Sequence, residues 1–182
     1  MIKMTLTLGA ALLAFASTPI SAQQIQRQNV PGINKFYRVD KTVATGGAIT
    51  AREMAIPELK KRGIKTVVNL AGGPDAEQEG IAVEAAGMKY LLFEIDPMKP
   101  DTAPVDQFLE AAKEPANYPM FIHSVNAHRA GMVWFLKRVL NDKWTPERAS
   151  LEAVSAGLVN DNAMASMWWK YAFDYMTSHT AK

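Results

Sequence analysis

The sequence predicts an α/β fold, a single domain with a mainly parallel central sheet flanked by helices. Three observations carry this. A β-branched apolar run at residues 65–70 and further strand-length segments at 89–95 and 120–123 alternate with segments of helical period. No internal repeat or linker-like stretch divides the chain, and 182 residues are enough for one sizeable core. The composition is that of a globular protein, 48% apolar and 21% charged, with 11 Gly and 10 Pro.

Residues 23–35 are polar, with four Gln and one Pro, and are expected to form a flexible lead-in to a domain spanning 36–182. Phe36 to Val39 is a short strand candidate. After the Gly46-Gly47 turn, Thr50-Ala-Arg-Glu53 has the form of a capping box opening a helix. Pro57 divides that helix into two short pieces, and Gly63 ends it. Lys65 to Leu70 is a strand broken by Gly72-Gly73-Pro74. Ala76 to Ala86 reads as a helix stopped by Gly87, with Glu77 and Glu79 as first-turn charges. Lys89 to Ile95 is a strand ended by Asp96-Pro97, and Pro104 to Lys113 a helix with Val105, Phe108, Leu109 and Ala112 on one face. A short buried strand, Met120 to His123, precedes a helix from about Ala130 to Asn141 that is apolar nearly all round. Two more helices follow, from Thr145-Pro146 and from Asp161. The last carries Trp168, Trp169, Tyr171, Phe173 and Tyr175, which read as core packing or, alternatively, as a partner surface.

Several function classes are excluded at once. Lys and Arg number 20 against 18 Asp and Glu, a net charge of +2 with no basic cluster, so nucleic acid is not an expected partner. There is no cysteine, hence no disulfide, thiolate metal site or cysteine nucleophile. The three histidines, at 123, 128 and 179, have no metal-site spacing, and neither metal nor cofactor is expected. Residues 1–22 read as a secretory signal: Lys3 is the basic segment, Leu6 to Ala16 the apolar run, and Ser21-Ala22 the small-residue cleavage region. That run is shorter than the ~20 residues of a spanning helix. The mature chain is therefore expected in the periplasm or outside the cell, without stable membrane insertion. The alternative is an uncleaved anchor.

In open α/β sheets ligands bind beyond the carboxyl ends of the strands, which selects residues 69–73, 96–101 and 123–131. The third segment, Phe121-Ile-His-Ser-Val-Asn-Ala-His-Arg-Ala-Gly131, carries the chemistry. A strand ends at His123, a tight loop follows, and a helix begins near Arg129. Consecutive loop amides before a helix N-terminus form a nest for an anion. Arg129 is placed to fold over that nest and grip two oxygens of a phosphate or sulfate, while His123, Asn126 and His128 add donors at the rim. Capture of an oxyanion by Ser124, Val125, Asn126, Ala127, His128 and Arg129 is the expectation.

This arrangement resembles the phosphate-binding loop of the cysteine-dependent tyrosine and dual-specificity phosphatases. Their signature is His-Cys, usually five residues, then Arg. Here His123-Ser124 is separated from Arg129 by four residues, Val125 to His128, a spacing similar to that of a bacterial branch with a shortened loop. Phe36-Tyr-Arg-Val-Asp40, Ala44-Thr-Gly-Gly47, Gly63-Ile-Lys-Thr-Val-Val-Asn-Leu70 and Gly87-Met-Lys-Tyr90 resemble that branch's opening strand, turn, second strand and the strand leading to its acid loop. The resemblance spans roughly 36–140. It implies a phosphoric monoester hydrolase fold in which a thiolate attacks phosphorus and an aspartic acid protonates the leaving oxygen. By the resemblance Asp96 is that general acid, with Asp101 as the supporting alternative; plain turn and helix-cap roles compete for both. It also implies that His123 points at the backbone, and that Ala71 stands where related enzymes often carry an arginine.

The departure falls on Ser124, in the nucleophile position. A cysteine thiol, ordinarily near ~8.5, can be lowered below neutrality in such a loop. An aliphatic hydroxyl starts far higher and needs an adjacent general base. His123 and His128 are candidates by proximity, but no orienting carboxylate is evident for either. The expectation is binding of a phosphorylated small molecule, lipid or protein with absent or weak hydrolysis. The alternatives are an active phosphomonoesterase using Ser124 or water with Asp96 as acid, and an extracytoplasmic protein-binding module working through the aromatic C-terminal helix. The pattern does not address oligomeric state.

Overall fold

A computed structural model describes residues 25–99 and 101–180. The signal segment expected at 1–22 lies outside the described residues. The chain forms β1 (Gln26–Val30), β2 (Ile33–Arg38), β3 (Val43–Gly46), α1 (Arg52–Lys61), β4 (Thr66–Asn69), α2 (Ala76–Ala85), β5 (Lys89–Leu92), α3 (Ala103–Ala111), β6 (Met120–His123), α4 (His128–Leu136), α5 (Pro146–Ser155) and α6 (Ala163–Thr180). The sheet order is β1-β2-β3-β6-β4-β5. From β3 to β5 all neighbours are parallel, whereas β1–β2 and β2–β3 are antiparallel. The class is α/β as expected; the sheet is mixed, a parallel centre with an antiparallel margin.

Helices cover both faces, and the side-chain alternation of the strands assigns residues to each. Ala44, Val67 and Phe121 pack with Ala55, Ile56 and Leu59 of α1 and Val83 of α2. Val43, Val68, Met120 and Ile122 pack on the other face, with the buried residues of α3 to α6. The parallel register aligns Gly46, His123, Asn69 and Leu92 in one row at the carboxyl ends of four strands. That row is the edge from which the third segment departs.

Four expectations are corrected here. The lead-in assigned to 23–35 is instead β1 and the start of β2, joined by a tight turn at Gly32 (φ 75°). Its polar residues lie on an exposed edge strand, while Val30, Ile33 and Phe36 are buried beneath α1. The Ala44 to Gly47 stretch, read as a turn, falls for its first three residues in β3, a four-residue strand with every residue buried; Ala44 and Gly46 carry little β propensity, and its neighbours on both sides supply the pairing. The capping box does not form, because Thr50 is drawn to the Gly32 carbonyl and α1 starts after Ala51 without a side-chain cap. Pro57 does not divide α1 either: it lies on the exposed face of the helix, while Ala55, Ile56 and Leu59 are buried on the other. Elsewhere the boundaries shift by a few residues, α4 beginning at His128 and its last turn, 137–141, widening into a π-helix.

Among the described residues no helix is long and apolar enough to cross a membrane. In α6, Trp168 and Tyr175 are buried while Phe173 is exposed.

Candidate functional site

Strand β6 ends at His123 between β3 and β4, and its continuation is pinned from both sides. The Ser124 amide donates to the Gly46 carbonyl (3.2 Å), and the Val125 carbonyl accepts from the Ala48 amide (3.1 Å). Ala127 then takes the left-handed conformation (φ 78°) that turns the chain into α4. The φ of +114° at Gly157 and the 2.7 Å between its hypothetical Cβ and the Ala127 Cβ show how closely the α5–α6 connection presses on this turn. Within the loop, the His128 amide donates to Asn126 Oδ1 (3.3 Å). Asn126 forms an antiparallel bridge with Gly47, so the loop runs beside the 46–48 backbone, and the amides of Val125, Asn126 and Ala127 follow one another in sequence. They precede the N-terminus of α4, where the helix dipole favours negative charge.

Ser124 is 1% exposed and its Oγ has no hydrogen-bond partner among the described residues. It lines a cleft of about 160 Å³ together with His123, Glu79, Asn69 and the 71–75 turn, while Val125, 59% exposed, stands at the mouth. Arg129 lies outside that lining. Its Nη1 donates to the Leu70 carbonyl (3.1 Å) and its guanidinium stacks over Trp168 at 5.1 Å, which leaves its other N–H groups free for a ligand. Burial pulls the guanidinium below its ordinary range, and the charges of Asp96 and Glu94 oppose that pull.

The structure does not bring Asp96 into the Ser124 cleft. Asp96 Oδ1 accepts the Met98 amide (2.9 Å) and its Oδ2 lies 3.6 Å from Lys99 Nζ, so its carboxylate organises the turn after β5. Asp101 accepts the Ala103 amide (2.9 Å) at the start of α3. Both line a separate cleft with Glu94, Lys99 and Pro104.

His123 does not point at the backbone. Its Nε2 donates to Glu79 Oε1 at 2.9 Å, its ring stacks in parallel on Phe121, and its Nδ1 is buried without a partner. Glu79 also accepts from Asn69 Nδ2 (3.1 Å), and Asn69 holds the following turn through the Ala71 and Gly72 amides. Burial raises the Glu79 carboxyl, but the bond and charge of His123, with Tyr90 and Asn69, outweigh it and hold Glu79 below the usual carboxylate range. The same burial and the Glu79 charge push the Tyr90 hydroxyl up. Glu79 is the first-turn charge the sequence reads, but it also lines the cleft. The signal for that is its position: Ala76, Glu79, Gly80 and Val83 form the buried stripe of α2, and a carboxylate on such a stripe needs a partner.

His128 also has a carboxylate beside it. It is buried, with Nε2 3.4 Å from Asp161 Oδ1 but not aligned for a hydrogen bond. Burial lowers its imidazole, Asp161 raises it, and Lys35 lowers it further.

No protein-family model and no curated protein matches the sequence. Solved structures do. TpbA of P. aeruginosa superposes with a TM-score of 0.66 at 20% identity, over 91% of this chain and all of that one. A cysteine-to-serine variant of TpbA in complex with phosphotyrosine matches at 0.60 and 22% identity, over 88% of this chain and 99% of that one. Human DUSP28 matches at 0.59 and 20% identity, over 80% and 97%. This chain has the fold of the tyrosine and dual-specificity phosphatases. The helices on both faces and the mixed sheet are shared features of that fold, and the 123–129 loop lies at the carboxyl edge of its parallel strands.

Proposed function

We propose that this protein holds the phosphoryl group of a phosphorylated small molecule, lipid or protein in the loop from Ser124 to Arg129, and hydrolyses it weakly or not at all. It belongs by this reading to the short-loop bacterial branch of the phosphatase superfamily, acting in the periplasm or outside the cell after loss of residues 1–22. The loop amides nearest the N-terminus of α4, with that terminus itself, supply donors to the phosphoryl oxygens. Arg129 supplies the counter-charge, bidentate once its guanidinium turns from Leu70. The phosphotyrosine complex of the TpbA variant supports a phosphorylated ligand on this fold.

One observation carries the catalytic half. The Ser124 hydroxyl has no proton acceptor within hydrogen-bond distance among the described residues. Attack on phosphorus would have to proceed from an un-ionised alcohol, since no thiolate stands there and neither imidazole is bonded to Oγ. Asp96, tied into its own turn, adds an acid without a nucleophile.

The test compares the protein with its Ser124→Cys variant for hydrolysis of p-nitrophenyl phosphate and for calorimetric phosphate binding. Binding by both, with hydrolysis gained only by the variant, is the expected result. Robust hydrolysis by the serine protein that vanishes in Asp96→Ala would establish the active phosphomonoesterase instead. Absence of phosphate binding in both would leave the fold without its proposed ligand.

A further inference from the structure

Arg129 has carboxylates close enough to neutralise it. Those of Asp96 and Glu94, in the segment after β5, act on its guanidinium through their charge. Its hydrogen bond nevertheless goes to the neutral Leu70 carbonyl, at 3.1 Å. Asp96 is turned toward Lys99, 3.6 Å away, and Glu94 lies against the Gly72 turn, where an added Cβ would stand 2.6 Å from Glu94 Oε2. The planar guanidinium rests instead over the Trp168 ring, at 5.1 Å. Trp168 is 1% exposed and firmly seated: it shares the buried stripe of α6 with Ala165, Ala172 and Tyr175, and Tyr171 meets it edge-on at 6.1 Å.

We propose that Trp168 is a positioning residue for the oxyanion site: its ring holds the Arg129 guanidinium away from Glu94 and Asp96 and keeps it available to an incoming phosphoryl group. The inference rests on the phosphate-loop reading given above. Two properties of the contact carry it. A ring face attracts the cation without occupying any N–H, so the donors not given to Leu70 stay open to phosphoryl oxygens. It also imposes no direction within the guanidinium plane, so the fork can turn from Leu70 to a ligand while it remains stacked. A carboxylate would do the opposite, taking two donors and cancelling the charge. An Arg129 paired in that way would have to be freed before it could grip an anion. Helix α6 thereby belongs to the site, although Trp168 lies outside the lining of the Ser124 cleft.

Inorganic phosphate is the probe, titrated by calorimetry into the protein, Trp168→Phe and Trp168→Leu. Trp168→Leu is expected to bind about 3- to 30-fold more weakly. Trp168→Phe keeps a ring face and is expected to recover most of that loss. A cavity or a loosened helix would weaken binding too, so the deciding comparison adds Glu94→Gln together with Asp96→Asn. Removing those charges raises affinity in any background. It is expected to do so by about tenfold more in the Trp168→Leu background than in the unaltered one. An equal gain in both backgrounds, or a Trp168→Leu protein that binds as tightly as the parent, overturns the proposal. Should Trp168→Leu not fold, the unaltered protein decides: nuclear Overhauser contacts between the Arg129 side chain and the Trp168 indole are expected both before and after phosphate is added, and their loss on binding overturns the proposal equally. If the parent binds no phosphate, the phosphate-loop reading falls and takes this proposal with it. If phosphate binds and these comparisons fail, only the role of Trp168 falls.

Discussion

Replacing Arg129 tests the loop most directly, because the structure shows which contacts the side chain makes without a ligand. One N–H is donated to the Leu70 carbonyl at 3.1 Å and the guanidinium face rests on Trp168 at 5.1 Å. The hydrogen bond contributes about 1 kcal/mol and the stacked cation about another. Arg129→Ala should therefore lose about 2 kcal/mol of stability, a fall of about 4–8 °C in Tm for a domain of this size. Phosphate binding should suffer far more. A bidentate grip makes two charge-assisted bonds at roughly 1.5–3 kcal/mol each. Their loss weakens affinity by about 10²- to 10⁴-fold at 1.4 kcal/mol per decade. Arg129→Lys keeps the charge but not the fork, so it should recover part of the binding and little of the Trp168 stacking. Calorimetric titration with phosphate and thermal unfolding followed by tryptophan fluorescence measure the two effects separately. A loss of less than tenfold in Arg129→Ala would refute the assignment of the counter-charge to this residue.

Two further predictions concern how the loop is held. In Gly131→Ala the new Cβ would lie 2.6 Å from the Leu158 amide nitrogen and 2.8 Å from the Leu158 Cβ; the overlap with backbone should cost about 1–3 kcal/mol and exceed the helix-propensity gain of about 1 kcal/mol, so an unchanged or raised urea midpoint would contradict the packing described. At His128, burial holds the imidazole below its ordinary 6.5, so the unfolded chain takes up a proton that the folded one resists. Its contribution to stability is complete above about pH 6.5 and is lost as pH falls below it. Urea midpoints should therefore drop on going from about pH 7.5 to 5.5, and drop less in His128→Gln; equal losses in both proteins would exclude His128 as the cause.

The runs that became β4 and β6 were legible because central strands buried between helix layers read as short, nearly continuous apolar segments, and β5 because its apolar residues follow one another at the sheet edge. The loop from Ser124 to Arg129 was legible because a short loop between a strand and a helix is a local object. β1 and β3 were not. Gln26 to Val30 is polar on its exposed side, and Val43 to Gly46 is only four residues long and interrupted by Ala44 and Gly46; each is a strand because of what lies beside it. The helix break expected at Pro57 failed for a related reason, since packing of Ala55, Ile56 and Leu59 on the sheet holds α1 together across it.

The roles of single side chains divide along the same line. The sequence by itself determined the class, the strand–loop–helix segment that carries Arg129, and the absence of sulfur at Ser124. These follow from composition and near-neighbour spacing. Only the tertiary structure decided that His123 faces Glu79 rather than the backbone, that Arg129 rests on Trp168, and that Asp96 is engaged in its own turn rather than lining the cleft. Glu79 stands 44 residues from His123 in the chain. Its carboxylate reaches the imidazole because parallel β4 and β6 set Asn69 and His123 side by side, and α2 packs its buried stripe over that row. Charges brought together through such a crossover leave no trace in local sequence. Their energies are nevertheless large, because burial removes the water that would screen them.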